Sequence, residues 1–193
     1  MEQANRSKAI EKEISSRLRK HQKAIPANQD REIKKAIKKA QTSPLSTLDI
    51  LSILKFVPQF LGVFASDELK HLKIIDYPVS LIANLDTSIT NGSHWVAIRI
   101  SSSNIELFDS LGFCPETWSR FPSEVINFLK THTTLRKLSI SPTFQAPNTH
   151  LCGLYCIYFI LYRRIASFSL VCSKFSRIDL NSNTIKLKNL LLN

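Results

Sequence analysis

No apolar run in this sequence reaches the roughly 18 residues that a bilayer-spanning helix requires, so no membrane association is expected. The longest such run, Leu151 to Tyr162, contains Cys152, Gly153 and Cys156 and stops at Arg163-Arg164. It predicts a buried helix. The N-terminal Met-Glu-Gln-Ala-Asn-Arg lacks the apolar stretch of a secretory signal, and the expected location is intracellular. In that setting Cys114, Cys152, Cys156 and Cys172 are expected as thiols rather than bridges. A zinc site lacks donors: Cys152 and Cys156 are four apart, but no second close pair of Cys or His accompanies them. No metal or other cofactor is therefore expected. Internal repeats are absent.

Acidic residues are too few to balance the basic ones: 15 Asp and Glu face 26 Lys and Arg, a net +11. Residues 1–45 hold 12 Lys/Arg and 5 Asp/Glu, a balance of +7, against 14 and 10, or +4, in residues 46–193. A basic segment of this kind attracts nucleic acid by counterion release; a solvated helical face explains the charge equally well.

Hydrophobic residues make up 44% of the 193, enough to fill the core of one domain. Ile10, Ile14 and Leu18 recur every four residues and predict an amphipathic helix over 7–24. A second helix is expected from Asp30 through Ile33 and Ile37 to Ala40. Thr42-Ser43-Pro44 reads as a linker, which divides the chain into a basic helical arm, 1–45, and a domain, 46–193. The alternative is that the arm's apolar side packs on the domain. Residues 47–61 read as helix broken at Pro58, and Phe60 to Phe64 as short strand or loop. His94 to Ile100 and Asn104 to Asp109 read as two strands of a hairpin. Residues 122–134 predict a helix, Leu135 to Ile140 a strand, and Cys152 to Arg164 the strongest helix of the second half. Two pieces, 168–175 and 184–192, carry no decided type.

With a two-residue loop at Ser101-Ser102, paired hairpin positions sum to 203, so His94 faces Asp109. Directly opposed side chains lie about 4.5–5.5 Å apart at Cβ, within reach of an imidazole–carboxylate hydrogen bond. Such an Asp fixes the tautomer and stabilises the imidazolium, although a surface ion pair looks the same. Cys152 stands where a polar loop enters an apolar helix, a position that stabilises a thiolate; free Cys is also commonly just buried. Gly153 allows close approach of the backbone to a substrate. Gln145, in the loop leading to Cys152, carries an amide able to donate to an oxyanion together with the Cys152 N–H.

Taken in order, Gly92-Ser93-His94-Trp95, Leu107-Phe108-Asp109-Ser110-Leu111-Gly112-Phe113, Gln145-Ala146-Pro147-Asn148 and Cys152-Gly153-Leu154-Tyr155-Cys156 resemble the adenovirus protease (adenain) family. That family shares a clan with the proteases that remove SUMO and other ubiquitin-like proteins. Phe60-Leu61-Gly62 also resembles an early stretch of adenain. The seven residues from Gln145 to Cys152, with Pro147-Asn148 between, match adenain; Asp109 matches the SUMO proteases, where adenain has Glu. Polinton-type elements and related DNA viruses carry proteases of this mixed character. Adenain's activating peptide bonds to a Cys between its acidic residue and its Gln, but residues 115–151 contain no Cys, so that cofactor does not transfer.

The resemblance implies an α+β fold with a central, mostly antiparallel sheet flanked by helices, and the nucleophile at the start of a core helix. It implies a cysteine endopeptidase with Cys152 as nucleophile, His94 as base, Asp109 orienting the base and Gln145 donating to the oxyanion. The implied substrate is a viral or virus-like structural polyprotein, cleaved beside Gly in the host nucleus, the cytoplasm or the virion. Deconjugation of a ubiquitin-like modifier is the rival activity. A basic nucleic-acid-binding protein with an inactive protease-like domain is the rival outside enzymes. DNA stimulates adenain, so residues 1–45 are a candidate for non-specific DNA binding.

Overall fold

The computed structural model describes residues 27–90, 92–112 and 121–192. The helix expected over 7–24 and Cys114 lie outside these residues. The described elements, in order, are α1 (Ala27–Lys39), α2 (Thr47–Leu54), β1 (Phe60–Phe64), a 3-10 helix (Ser66–His71), β2 (Val79–Asn84), β3 (Trp95–Ile100), β4 (Asn104–Phe108), α3 (Ser123–Thr133), β5 (Lys137–Ile140), α4 (Cys152–Tyr162), α5 (Phe168–Cys172) and α6 (Ser182–Leu192).

The strands form one sheet in the order β1-β2-β3-β4-β5. The α+β class is as expected, but the sheet is mixed: the two inner pairings are antiparallel and the two outer ones parallel. The connections explain this. The chain passes through the 3-10 helix between β1 and β2 and through α3 between β4 and β5, and a crossover returns a strand in its original direction. Sequence reading assigns no element to Val79–Asn84. All six of its residues are buried, so it lacks the alternation that marks a strand with one wet face.

Alternate side chains of the strands feed two cores. Leu81, Ala83, Val96, Ile98, Ile105 and Leu107 pack with Val125, Phe128 and Leu129 of α3. Ile82, Trp95, Ala97 and Phe108 point the other way, into a core shared with α1, α2, α4 and α6. Helix α4 is apolar all round and its residues from Cys152 to Ile160 are buried, as a central helix must be. Its tyrosines satisfy their hydroxyls on backbone carbonyls: Tyr155 on Phe144 and Tyr158 on Val171. Arg163, just past α4, clamps Glu106 of β4 with two hydrogen bonds of 2.6 and 2.7 Å.

The boundary between 45 and 46 does not survive in the packing. Ile33, Ala36, Ile37, Ala40 and Leu45 are buried in the same core as Cys152 and Leu154, and α1 packs on α2 and α6. The Trp95 indole donates to the Leu45 carbonyl at 2.9 Å. What reads as a linker is anchored to the core by the residue that follows it, Leu45. Ser46 then starts α2 with a capping box: its hydroxyl accepts from Asp49 N, and Asp49 Oδ2 accepts from Ser46 N at 2.7 Å. Helix α2 ends at Leu54, earlier than expected; Lys55 caps it in helical geometry, and Pro58, which lacks an N–H to bond back to the Leu54 carbonyl, cannot continue it. The two undecided C-terminal pieces are helices: Ser167 caps α5, and Leu187 and Leu191 bury one face of α6.

Candidate active site

His94 sits just before β3, where its carbonyl accepts from Leu85 N at 3.0 Å. Asp109 sits just after β4. The hairpin register is Ala97↔Phe108, Ile98↔Leu107, Arg99↔Glu106 and Ile100↔Ile105. Paired positions therefore sum to 205, not the expected 203. The turn takes four residues, closed by Ser101 N donating to the Asn104 carbonyl at 2.8 Å, which shifts the ladder by two. His94 and Asp109 are consequently diagonal rather than opposed. They meet all the same: His94 Nε2 lies 2.6 Å from Asp109 Oδ1. A two-residue shift keeps side chains on the same face, and both groups are long enough to span a diagonal.

Asp109 is itself held. Its N–H donates to Ser141 Oγ at 2.8 Å, Ser141 Oγ donates back to the Asp109 carbonyl at 2.8 Å, and Leu111 N donates to its Oδ1 at 2.9 Å. Gly112 closes this turn at φ +83, and a Cβ there would lie 1.9 Å from Thr143 Oγ1. No residue with a side chain fits. With Nε2 engaged by Asp109, Nδ1 is the ring nitrogen left over, and Cys152 is the second group whose proximity raises the His94 pKa.

Cys152 is the first residue of α4 and is buried. The first N–H groups of a helix have no intrahelical partner and stabilise a nearby anion. Gly153 has a different role from the one expected. A Cβ there would come within 3.1 Å of the Leu45 Cβ, so the missing side chain makes room for Leu45 rather than for a substrate. Gln145 is buried and fixed at both ends of its amide: Ser110 Oγ donates to Oε1 at 2.7 Å, and Nε2 donates to the Thr149 carbonyl at 2.8 Å. One Nε2 hydrogen remains. The loop can fold back this way because Asn148 adopts φ 59, a conformation Asn tolerates better than most residues. Sequence reasoning misses Ser110, Ser141 and Thr149 as supports of the site. The adjacency Asp109-Ser110 and the four-residue step from Gln145 to Thr149 are visible there, but their partners are set by the fold.

Burial is the largest influence on the His94 pKa and pulls it down. It is outweighed by the hydrogen bonds and charges of Asp109 and Cys152, which together raise it from 6.5 to about 9. At neutral pH the ring is therefore an imidazolium, poised beside a sulfur. Because the folded pKa exceeds the unfolded one, the folded state binds the extra proton between pH 6.5 and 9. The stability that His94 contributes is complete below pH 6.5 and is lost as pH rises through 9. In urea melts, the difference between wild type and His94→Gln should shrink over that window by on the order of 2 kcal/mol; a difference that grows with pH contradicts the assignment. Burial pushes the Cys172 thiol up to about 12 and the Cys156 thiol well above its usual range, which leaves both inert at neutral pH.

A cavity of about 460 Å³ is lined by Leu45, Ser46, Val63, Glu68, Asn84 and the two chain neighbours of His94, Ser93 and Trp95, among others, but not by His94 itself. Among the described residues no group of three or more His, Cys, Asp or Glu is placed to hold a metal. The arrangement suits acyl transfer: a sulfur at a helix start, an imidazole bridging it to a fixed carboxylate, and an amide with a spare N–H.

The Ulp1 protease family, C-terminal catalytic domain, matches residues 69–174, more than half of the chain and inclusive of His94, Asp109, Gln145 and Cys152. No protein of curated function matches. Among solved structures, the chain is similar to the ASFV pS273R protease with a TM-score of 0.48 and 20% identity, over 80% of this chain and 70% of that one. It is similar to the SUMO protease Ulp1 at 0.40 and 18%, over 87% and 96%, and to the Legionella pneumophila effector RavZ at 0.34 and 15%, over 76% and 42%. Likenesses this distant carry no argument about activity. The family match does: the chain belongs to the Ulp1 protease family and is a cysteine protease, acting on protein substrates without a cofactor.

Proposed function

We propose that Cys152 is the nucleophile, His94 the acid–base, Asp109 its orienting partner and Gln145 an oxyanion donor. The observation that carries this reading is the 2.6 Å contact of His94 Nε2 with the buried, fixed Asp109 carboxylate, with Cys152 near enough to raise the His94 pKa. The Cys152 thiolate attacks the scissile carbonyl carbon, and the carbonyl π pair moves onto oxygen. That oxyanion takes hydrogen bonds from Gln145 Nε2 and the Cys152 N–H. As it collapses, the C–N bond breaks and the leaving amine takes the proton of the His94 imidazolium. Water, deprotonated by His94, then cleaves the thioester and releases the thiolate. Gln145→Ala should lower kcat by about 10²–10³ with little change in KM. Asp109→Asn should lower it strongly, and Asp109→Glu less. An effect of Gln145→Ala confined to KM makes that residue a substrate contact instead.

The proposed physiological reaction is maturation of viral or virus-like structural proteins, inside the host cell or the virion, at bonds flanked by Gly. It is supported by the adenain-like spacing from Gln145 to Cys152 and by Phe60-Leu61-Gly62. Deconjugation of a ubiquitin-like modifier is the second reading, favoured by the family match over 69–174. Two probes separate them. A short Gly-X-Gly electrophile labels Cys152 under either reading. A folded ubiquitin-like modifier bearing a C-terminal propargyl amide labels it rapidly only if the enzyme is a deconjugase. Failure of both probes to label Cys152 ahead of the other cysteines sinks the proposal.

Non-specific DNA binding is proposed for the N-terminal residues. Lys34 and Lys35 of α1 pair with Asp30 and Glu32, whereas residues 1–26 alone hold 7 Lys/Arg and 3 Asp/Glu, a balance of +4. Affinity should fall steeply with salt and be indifferent to base sequence.

A further inference from the structure

Gln145 belongs to a two-residue stretch whose backbone is held at three of its four polar groups. The N–H groups of Phe144 and Gln145 both donate to the Ser110 carbonyl at 2.8 Å. The Phe144 carbonyl accepts from two side chains: Tyr155 Oη at 3.2 Å, one turn along the helix that Cys152 begins, and Asn183 Nδ2 at 2.9 Å. Asn183 lies in α6, beyond the segment that matches the family. It is fully buried, and its amide is saturated. The second Nδ2 hydrogen goes to the Ser176 carbonyl at 2.8 Å, and Oδ1 accepts from Ser176 N at 2.8 Å. A buried, fully bonded amide has one orientation, because any rotation leaves polar atoms unpaired.

We propose that Asn183 is a positioning residue for catalysis: α6 sets the place of the oxyanion donor by gripping the carbonyl immediately before it. The inference rests on the role proposed above for Gln145. The chain of contacts is short. Asn183 fixes the Phe144 carbonyl, the same peptide plane carries the Gln145 N–H, and Ser110 and Thr149 then aim the Gln145 amide. Removing the first link lets the peptide plane drift without touching His94, Asp109 or Cys152. Misplacement of a catalytic group by about 1 Å can cost on the order of 10²-fold in rate.

The test measures two reactions of the full chain. One is turnover of a Gly-Gly peptide aminocoumarin, which develops an oxyanion. The other is alkylation of Cys152 by iodoacetamide, which needs the thiolate but develops no oxyanion on the attacked carbon. Asn183→Ala should lower kcat by about 10- to 100-fold, move KM less than about 3-fold, and leave the alkylation rate and its pH profile within about 2-fold of wild type. In a Gln145→Ala background it should cost less than about 2-fold more, because the group it positions is gone. If Asn183→Ala does not fold, Tyr155→Phe removes the other bond to the same carbonyl; it should lower kcat by a smaller factor that likewise vanishes with Gln145→Ala. Losses that add in the double variant, or alkylation that falls in step with kcat, overturn the inference. A slow Gln145→Ala with a normal Asn183→Ala overturns it alone, whereas a normal Gln145→Ala overturns the proposed role of Gln145 as well.

Discussion

Cys152→Ala should lower peptidase turnover by at least about 10⁴-fold while the melting temperature stays within a few degrees of wild type. Removing a nucleophile costs on the order of 10⁴–10⁶, because only the binding and oxyanion contributions remain. The fold should survive because the change deletes one sulfur at a loop–helix junction and leaves the backbone of α4 and its first N–H groups in place. Cys152→Ser should be nearly as slow, since a hydroxyl ionises far less readily than a thiol. Cys156 and Cys172 offer no replacement: burial holds both as thiols at neutral pH. Fluorogenic Gly-Gly peptide turnover and thermal melts of each single Cys variant check this. Activity that survives in Cys152→Ala but disappears in Cys114→Ala, Cys156→Ala or Cys172→Ala moves the nucleophile elsewhere.

A chain beginning at Ser46 should not fold, whereas one beginning at Ala27 retains every described residue of the core. The first truncation removes Ile33, Ile37 and Leu45, all buried in the core that contains Cys152. Fully burying a side chain of this size is worth about 1.5–3 kcal/mol, so three approach the roughly 5–15 kcal/mol that stabilises a typical domain. The truncation also uncovers Gly153, against which Leu45 packs, and the Trp95 indole that donates to the Leu45 carbonyl. Circular dichroism and electrophile labelling of Cys152 read the outcome. The chain from Ala27 also tests the DNA proposal, because it keeps all the described core residues and drops residues 1–26. It should bind duplex DNA more weakly, with a shallower dependence on salt, by about 0.9 in log–log slope for each phosphate it no longer neutralises. A folded, labelled chain from Ser46 refutes the packing argument; undiminished DNA binding by the chain from Ala27 refutes the DNA proposal.

The chemistry-bearing residues are the most legible part of the sequence. His94, Asp109, Gln145 and Cys152 announce themselves by type and order, and three are flanked by distinctive neighbours: Trp95, Ser110 and Gly153. The hairpin register that predicts the meeting of His94 with Asp109 is off by two. The pair still forms, because side-chain parity, not register itself, decides which face a residue occupies. The turn is the illegible element: four polar residues, Ser101 to Asn104, close by backbone bonds that several loop lengths would permit. Strand β2 escapes notice for another reason. A strand buried on both faces loses the polar alternation by which strands are recognised. The boundary at 45 fails because Thr42-Ser43-Pro44 does have the composition of a linker; contacts distant in sequence, Trp95 with the Leu45 carbonyl and the Leu45 side chain over Gly153, make the segment part of the core. Ser141 and Asn183 are invisible on the same grounds. An isolated Ser or Asn carries no local pattern, and what it does depends on which carbonyl the finished fold brings to it.

The packing of α1 against α6 bears on when the enzyme becomes active. Ile33 and Ile37 from the first described helix and Leu187 and Leu191 from the last share one core, with Cys152 inside it. During synthesis the ribosome delivers the cysteine, the histidine and the aspartate well before α6. Until that helix emerges, the core around Cys152 lacks one wall, and domains generally fold as whole units as their last elements appear. A nascent chain should therefore carry a complete set of reactive side chains and still be silent until α6 has left the ribosome. The order of the helices along the chain is then a built-in delay.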